Sequence, residues 1–249
     1  MSIADNGSAR PLYARVREQL IERIRSGAWK PGQLIPNEFE IAAEFGVSQG
    51  TARKAIEALA SERLVVRRQG RGTFVVEHTP AHVMFRFFNL YDAHREQIIP
   101  DSGHAAAVVA KATPEERAEL RLGRNDKVIR IARVRTRDGR PFITETSTLP
   151  EPLFPGIAEL PEIPNTLYDL FQKSYGILVM RTDDRLSAVV ADVASAAALG
   201  TAVGTPLLRI DRVAFALDDR VVEWRVSYCH LGDGHYLART KLSDDTDRR

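Results

Sequence analysis

Apolar residues near the front of the chain recur at helical spacing. Leu12, Val16, Leu20, Ile21 and Ile24 form one stripe between Pro11 and Ser26, with Gly27 placed to stop the helix. Pro31-Gly32 turns the chain, and Asn37 can cap a helix through Glu38–Glu44 that Phe45-Gly46-Val47 breaks. From Ser48 to about Ala60 the residues Ala52, Ala55, Ile56 and Leu59 repeat at i, i+3, i+4 and i+7, so this stripe packs inward. Ser48, Gln49, Thr51 and Arg53 remain near the open N-terminal end. The rhythm then shortens: 64–68 and 73–76 are β-rich runs around Gln69-Gly70-Arg71-Gly72, whose glycines permit the positive φ of a tight turn.

Past Val76 the segment Glu77-His78-Thr79-Pro80-Ala81-His82 is polar, contains proline and has no period, which predicts a linker at 77–82. Strands are predicted at 83–90, 128–136, 142–148, 207–217, 221–230 and 236–242, with 177–190 mostly extended. Thr113-Pro114 opens a short helix; Asn165 or Thr166 caps another through Leu167–Phe171, ended by Gly176; an alanine-rich helix spans 191–199. Strands that follow one another through short turns imply an antiparallel sheet with a few helices, an α+β chain. The boundaries are a unit over 10–76, a β-rich domain over 83–242 and a charged tail, 243–249, expected to be disordered.

Composition sharpens this division. The 249 residues, 44% of them hydrophobic, suit one small and one medium domain. The net charge of +2 hides an asymmetry: residues 10–76 hold 12 Lys and Arg against 7 Asp and Glu, while 77–249 hold 23 against 25. A basic front and a slightly acidic back are expected if only the front touches nucleic acid. Cys229 is the only cysteine, so no intramolecular disulfide forms, and burial as a small apolar residue is expected. Met1–Ser8 lacks a basic region and an apolar run, and no apolar stretch approaches the roughly 20 residues that span a bilayer. The expectation is a cytoplasmic protein with no membrane partner.

A helix with short polar groups at its exposed N-terminus, followed by a basic hairpin, is the arrangement of a recognition helix and wing. The helix enters the major groove end-on, and the hairpin reaches phosphates or the minor groove. Pro31-Gly32-Gln33-Leu34-Ile35-Pro36-Asn37-Glu38, Phe45-Gly46-Val47-Ser48, Thr51-Ala52-Arg53-Lys54-Ala55 and Gly70-Arg71-Gly72-Thr73-Phe74-Val75 resemble the winged helix-turn-helix of GntR-family bacterial transcription regulators. That resemblance implies operator contacts from Ser48, Gln49, Thr51, Arg53 and Gly70, with Arg71 at the wing tip. Phe39 and Gln49 stand where arginine is usual, which implies a departure from the standard operator.

The back half is similar to the UTRA effector-binding domain of the HutC subfamily, a chorismate-lyase-like fold. The carriers are Arg133 with Arg135, Asp138-Gly139-Arg140-Pro141, Glu145-Thr146-Ser147, Thr166-Leu167-Tyr168 before Tyr175-Gly176, and Glu223 with Ser227-Tyr228 before Gly232-Asp233.

On the strand at 128–136 the odd positions carry Ile129, Ile131, Arg133 and Arg135, so two arginines project from a face that begins apolar. Such guanidinium groups need a carboxylate or phosphate. Glu145 on the next strand is one partner, and its position depends on the turn. A two-residue Asp138-Gly139 loop puts it opposite Ala132, whereas a three-residue loop from Arg137 puts it opposite Ile131 beside the arginines. The resemblance favours the second. An internal ion pair without a ligand is the plainer alternative; the resemblance favours an effector pocket formed by Arg133, Arg135, Glu145, Thr166 and Tyr228. Phe88, Asn89, Asn165 and Glu223 are weaker candidates, Glu223 because its parity opposes that of Tyr228.

These features imply a metabolite-responsive repressor, a homodimer on a palindromic operator, released by a small anionic effector. An enzyme of chorismate-lyase-like fold and a metal-sensing regulator are the alternatives. No nucleophile–base pair at motif spacing, no phosphate-cradling loop and no HExxH among the six histidines is present, so no catalytic residue, cofactor or metal site is expected.

Overall fold

The computed structural model describes residues 10–77 and 87–238, with the side chain of His104 excepted. The chain divides into two compact units, Met1–Thr79 and Pro80–Arg249.

In the first unit α1 (Leu12–Arg25), α2 (Glu38–Phe45) and α3 (Gln49–Ser61) surround a core of Val16, Leu20, Ile41, Ala52, Ala55, Ile56 and Leu59. Asn37 starts α2 through a capping box, its side chain accepting from Phe39 N and Glu40 N while Glu40 accepts from Asn37 N. Gly46, at φ 64°, ends it. Arg17 grips Glu62 through two bonds of 2.6 and 2.7 Å, fastening α1 to the end of α3. β1 (Val65–Arg68) and β2 (Gly72–Val75) form the hairpin. The turn segment lies along β2 through Gly32 N to Val75 O, Ile35 N to Thr73 O and Val75 N to Gln33 O.

The second unit is one six-stranded antiparallel sheet ordered β4-β5-β6-β9-β8-β7, from β4 (Asp101–Lys111), β5 (Lys127–Arg137), β6 (Arg140–Pro150), β7 (Val179–Val190), β8 (Pro206–Ala216) and β9 (Val221–Cys229). α4 (Pro114–Leu120) and α6 (Val193–Leu199) pack on one face, their apolar residues joining Val128, Val213 and Trp224 or Leu207. α5 (Leu167–Tyr175) covers the other face, where Tyr168 and Phe171 meet Ile129, Ile131 and Leu149.

Several expectations need correction. β4 was not anticipated, because Ser102-Gly103-His104-Ala105-Ala106-Ala107 offers few β-formers and no alternation. Of the strand expected over 83–90, residues 83–86 lie outside the described residues. Only Leu90 joins Tyr91 in β3 (Leu90–Tyr91), and it pairs with β10 (His235–Tyr236) rather than with the main sheet. Of the strand expected over 236–242, Tyr236 lies in β10 and Leu237 and Ala238 are not in a strand, while residues 239–242, the tail 243–249 and linker residues 78–82 are also outside the described residues. Neither candidate cap of α5 acts as one: Thr166 stands at the N-cap with no side-chain bond to the helix, and the Asn165 amide points elsewhere.

The hairpin turn matches neither anticipated register. Asp138 and Gly139 form a two-residue turn, at φ 51° and 74°, that pairs Arg137 with Arg140. A bulge at Phe142 then shifts the register by one residue, so Arg135 faces Ile143 and Arg133 faces Glu145. The extra residue is what returns Glu145 to the face of the arginines.

Candidate functional sites

The basic unit exposes the N-terminal end of α3. Ser48 Oγ accepts from Thr51 N at 3.2 Å and lies 2.9 Å from Thr51 Oγ1, so the hydroxyl pair is fixed by the cap. Gln49 is fully on the surface, and Arg53 reaches only Glu57, at 3.0 Å, with 65% of its own side chain exposed. Such a pair contributes about 0.3–0.5 kcal/mol, so Arg53 is free to exchange Glu57 for a phosphate or base. Gly70, at φ 68°, and exposed Arg71 form the hairpin tip; Arg67 reaches back to Glu38 at 3.3 Å. Phe39, 68% exposed, leaves an apolar ring on the surface of the first turn of α2.

The other unit buries an ionic cluster under α5. Odd positions of β5 and β6 place Arg133, Arg135, Glu145 and Ser147 on the covered face, and the β6–β9 pairing adds Ser227, Arg225 and Glu223. Glu145 lies 3.0 Å from Arg133, 2.9 Å from Arg135 and 4.0 Å from Arg225, and accepts from Ser227 at 3.3 Å. Arg225 donates to Glu223 at 2.7 Å, which also accepts from the Tyr168 hydroxyl at 2.7 Å. Arg212 clasps Asp184 through two bonds of 2.7 Å. Arg135 also bonds the Asn165 carbonyl at 3.0 Å and its amide oxygen, while Asn165 Nδ2 donates to Pro100 O.

Charge does not balance in this cluster. Arg133, Arg135, Arg212 and Arg225 face Glu145, Glu223 and Asp184, an excess of one cation among the described residues, and all but the partly exposed Asp184 are buried. Arg133 shows the cost. Its Nη2 is close to Glu145 Oε1, yet neither Nη2 nor Nε makes a hydrogen bond, because the ion-pair contact lacks the direction one needs. Burial pulls the Arg133 guanidinium down to about 10, with Glu145 opposing and Arg135 and Arg225 adding to the fall. Burial alone would raise Glu145, but Arg135, Arg225 and Arg133 hold its carboxyl well below the usual range.

Two hollows border the cluster. One runs from Phe88, Asn89 and Tyr236 to Glu145 and Arg225; the other lies between Phe88, Arg135, Asn165 and Thr166. Phe87, Phe88, Arg212 and Arg225 wall both. Each has room for about one water.

The structure thus brings Arg135, Glu145, Thr166, Phe88, Asn89 and Asn165 to these hollows, with Arg133 behind them. Tyr228 is not among them. It pairs with Thr144 and Arg209 on the opposite face, so the preference for Tyr228 over Glu223 is reversed, and Glu223 belongs to the cluster. Arg212, Arg225, Tyr168 and Tyr236 were missed. The signal was present in Glu223, Arg225 and Ser227 at alternate positions of β9, with Trp224 and Val226 between.

Comparison with known proteins follows the same division. Residues 12–75 match the model of bacterial regulatory proteins of the gntR family, and residues 100–233 match the UTRA domain. A probable fructoselysine utilization operon transcriptional repressor of Escherichia coli is 29% identical over 236 residues, covering 92% of this chain and 94% of that protein. PhnF from Mycobacterium smegmatis superposes with a TM-score of 0.54 at 27% identity, over 92% of this chain and all of that one. The ligand-binding domain of a GntR-family regulator from Bordetella bronchiseptica gives 0.57 at 27% identity, over 63% of this chain and 98% of that one.

Proposed function

The chain belongs to the GntR family of bacterial transcription regulators, in the branch that carries a UTRA domain, and from that premise we propose a dimeric repressor released by a small anionic metabolite. One winged helix reads a half-site, and a two-fold pair reads a palindrome. The excess of one cation in the cluster beside the two hollows carries the effector reading: a phosphate or carboxylate there supplies the missing charge and accepts from the arginines that line them. Arg135 and Arg225 meet the anion, while Arg133 gains from its field.

Entry requires movement. The hollows hold about one water each as they stand, so a metabolite must displace Phe87 and Phe88. In sequence those residues follow the segment that joins the two units. An effector shifts the equilibrium only by its preference for the arrangement that DNA disfavours. No enzymatic step is needed by this reading, since a lyase-like fold does not imply a lyase. No described helix is long and apolar enough to cross a membrane.

Arg135→Ala tests the pocket. It leaves three arginines against three carboxylates, so the fold should persist and operator binding should be unchanged, while release by the effector is lost. Thermal-shift screening of phosphate- and carboxylate-bearing metabolites identifies the ligand, and operator titrations with and without it read the effect. An Arg135→Ala protein released as readily as wild type leaves the cluster as a structural ion network only.

Gln49 should set operator preference, since glutamine pairs best with adenine and arginine with guanine. Selection from random DNA by wild type and Gln49→Arg should yield consensus sequences that differ at one position per half-site. Identical sequences remove Gln49 from base reading.

A further inference from the structure

The polar groups around the two hollows are already joined to one another. Asn89 Nδ2 donates to the Tyr236 hydroxyl at 3.1 Å, which donates to Asp184 at 2.8 Å, and Asp184 also holds Arg212. Ser227 donates to Glu145, Tyr168 to Glu223, and Asn165 Nδ2 to Pro100 O at 2.9 Å. Among the described residues, the orphaned side-chain atoms of this cluster are Nε and Nη2 of Arg133, both donors. The cluster therefore lacks negative charge, and no buried acceptor in it waits for a hydroxyl donor.

The rest of the lining is apolar. Leu90, Ile143, Ile210 and Cys229 are buried along the first hollow, and Phe88 packs on them. Phe87 stands edge-on to the Tyr168 ring at 5.0 Å, within the core that holds Ile129 and Ile131. A ligand that takes the place of these two rings inherits their neighbours.

We propose that the effector is an amphipathic acid, a carboxylate or phosphate carried on an aromatic or aliphatic body rather than on a polyhydroxylated one. This rests on the anionic-effector reading above and adds the chemistry of the rest of the ligand. The acid meets Arg135 and Arg225, and the body fills the space that Phe87 and Phe88 vacate. Moving the rings aside strips apolar contact from Ile143, Ile210 and Tyr168, and an apolar body restores it. A polyol in the same place sets hydroxyls against those walls, and each one buried there without a partner weakens binding. Asn89 and Tyr236 can serve a hydroxyl only by giving up their bonds to each other and to Asp184.

The test is calorimetric titration of the full chain, at fixed salt and pH, with compounds matched in charge. Cyclohexyl phosphate and inositol monophosphate share a ring and a phosphate and differ in hydroxyls; phenyl phosphate, glucose phosphate, inorganic phosphate and the straight-chain carboxylates from acetate to octanoate complete the set. Cyclohexyl and phenyl phosphate should bind at least about tenfold tighter than the inositol, glucose and inorganic phosphates, and affinity along the carboxylates should rise about fourfold per methylene until the space is filled. The heat-capacity change should grow more negative along the same series, as apolar burial requires. Arg135→Ala should weaken every one of these anions, which places them at this site. Inositol or glucose phosphate binding as tightly as cyclohexyl phosphate, or more tightly, with that binding lost in Arg135→Ala, overturns the amphipathic acid and leaves the anionic site standing. Binding that does not depend on Arg135, or no binding by any of these anions at millimolar concentration, overturns the anionic reading itself and this inference with it.

Discussion

Glu145→Gln should destabilise the effector unit by about 3–5 kcal/mol, the usual result of removing one partner from a buried charge network. The change is nearly isosteric, so packing does not explain the loss; four arginines would face two carboxylates with Arg133, Arg135 and Arg225 all losing their shared anion. Unfolding followed by circular dichroism should show a midpoint lower by on the order of 10 °C for a unit of this size. Adding Arg133→Met should restore much of the loss, because the worst-satisfied cation leaves with the anion. The pH dependence has a definite sign. Glu145 is held below its unfolded value, so its contribution is complete above the ordinary carboxylate range and is lost as pH falls through the lower folded value. Wild type should therefore lose stability on acidification more steeply than Glu145→Gln. A midpoint within a degree of wild type would mean that Glu145 does not anchor the cluster.

Arg53→Ala should weaken operator binding by about 1–3 kcal/mol in each half-site, without unfolding the DNA-binding unit. Its present partner is an exposed Glu57 on the same helix, and the residues that hold α3 in place, Ala52, Ala55, Ile56 and Leu59, lie on the other side. Loss across two half-sites makes this the largest effect expected on DNA affinity. If Arg53 contacts a phosphate, the weakening is uniform across sequences and the salt dependence drops by about one unit per half-site; if it contacts a base, specificity relaxes at one position. Fluorescence anisotropy against operator and scrambled DNA over a range of salt separates the two, and unchanged affinity at matched salt would place the recognition surface elsewhere.

The winged helix-turn-helix was readable because its signals are local. The stripe on α3, the Asn37 cap and the glycines of the wing each act within a few residues, and the structure repeats them. The sheet was harder. Alternation on β5 identified Arg133 and Arg135, yet the position of Glu145 depends on one bulge at Phe142, which nothing in Pro141-Phe142-Ile143 announces. Parity separated Glu223 from Tyr228 without saying which face of β9 carries the ionic cluster, and a polar alternation normally faces water. On β9 the polar set, Glu223, Arg225 and Ser227, faces the side covered by α5, and Trp224 and Tyr228 face the side that carries α4 and α6. Arg212 was hidden for the same reason, between Ile210 and Ala214 on a strand that reads as core. β4 has few β-formers and takes its conformation from pairing with β5.

The central claim is that one anionic ligand and one operator compete through the same protein, and reciprocal titration tests it most directly. Operator affinity is measured with and without saturating effector, and effector affinity with and without saturating operator, on wild-type protein at fixed salt. Linkage requires the two factors to be equal, and a coupling of about 1–3 kcal/mol gives a weakening of roughly 5- to 150-fold in each direction. Equal factors in that range are the predicted result; an effector that binds beside Arg135 and leaves operator affinity unchanged would contradict the account.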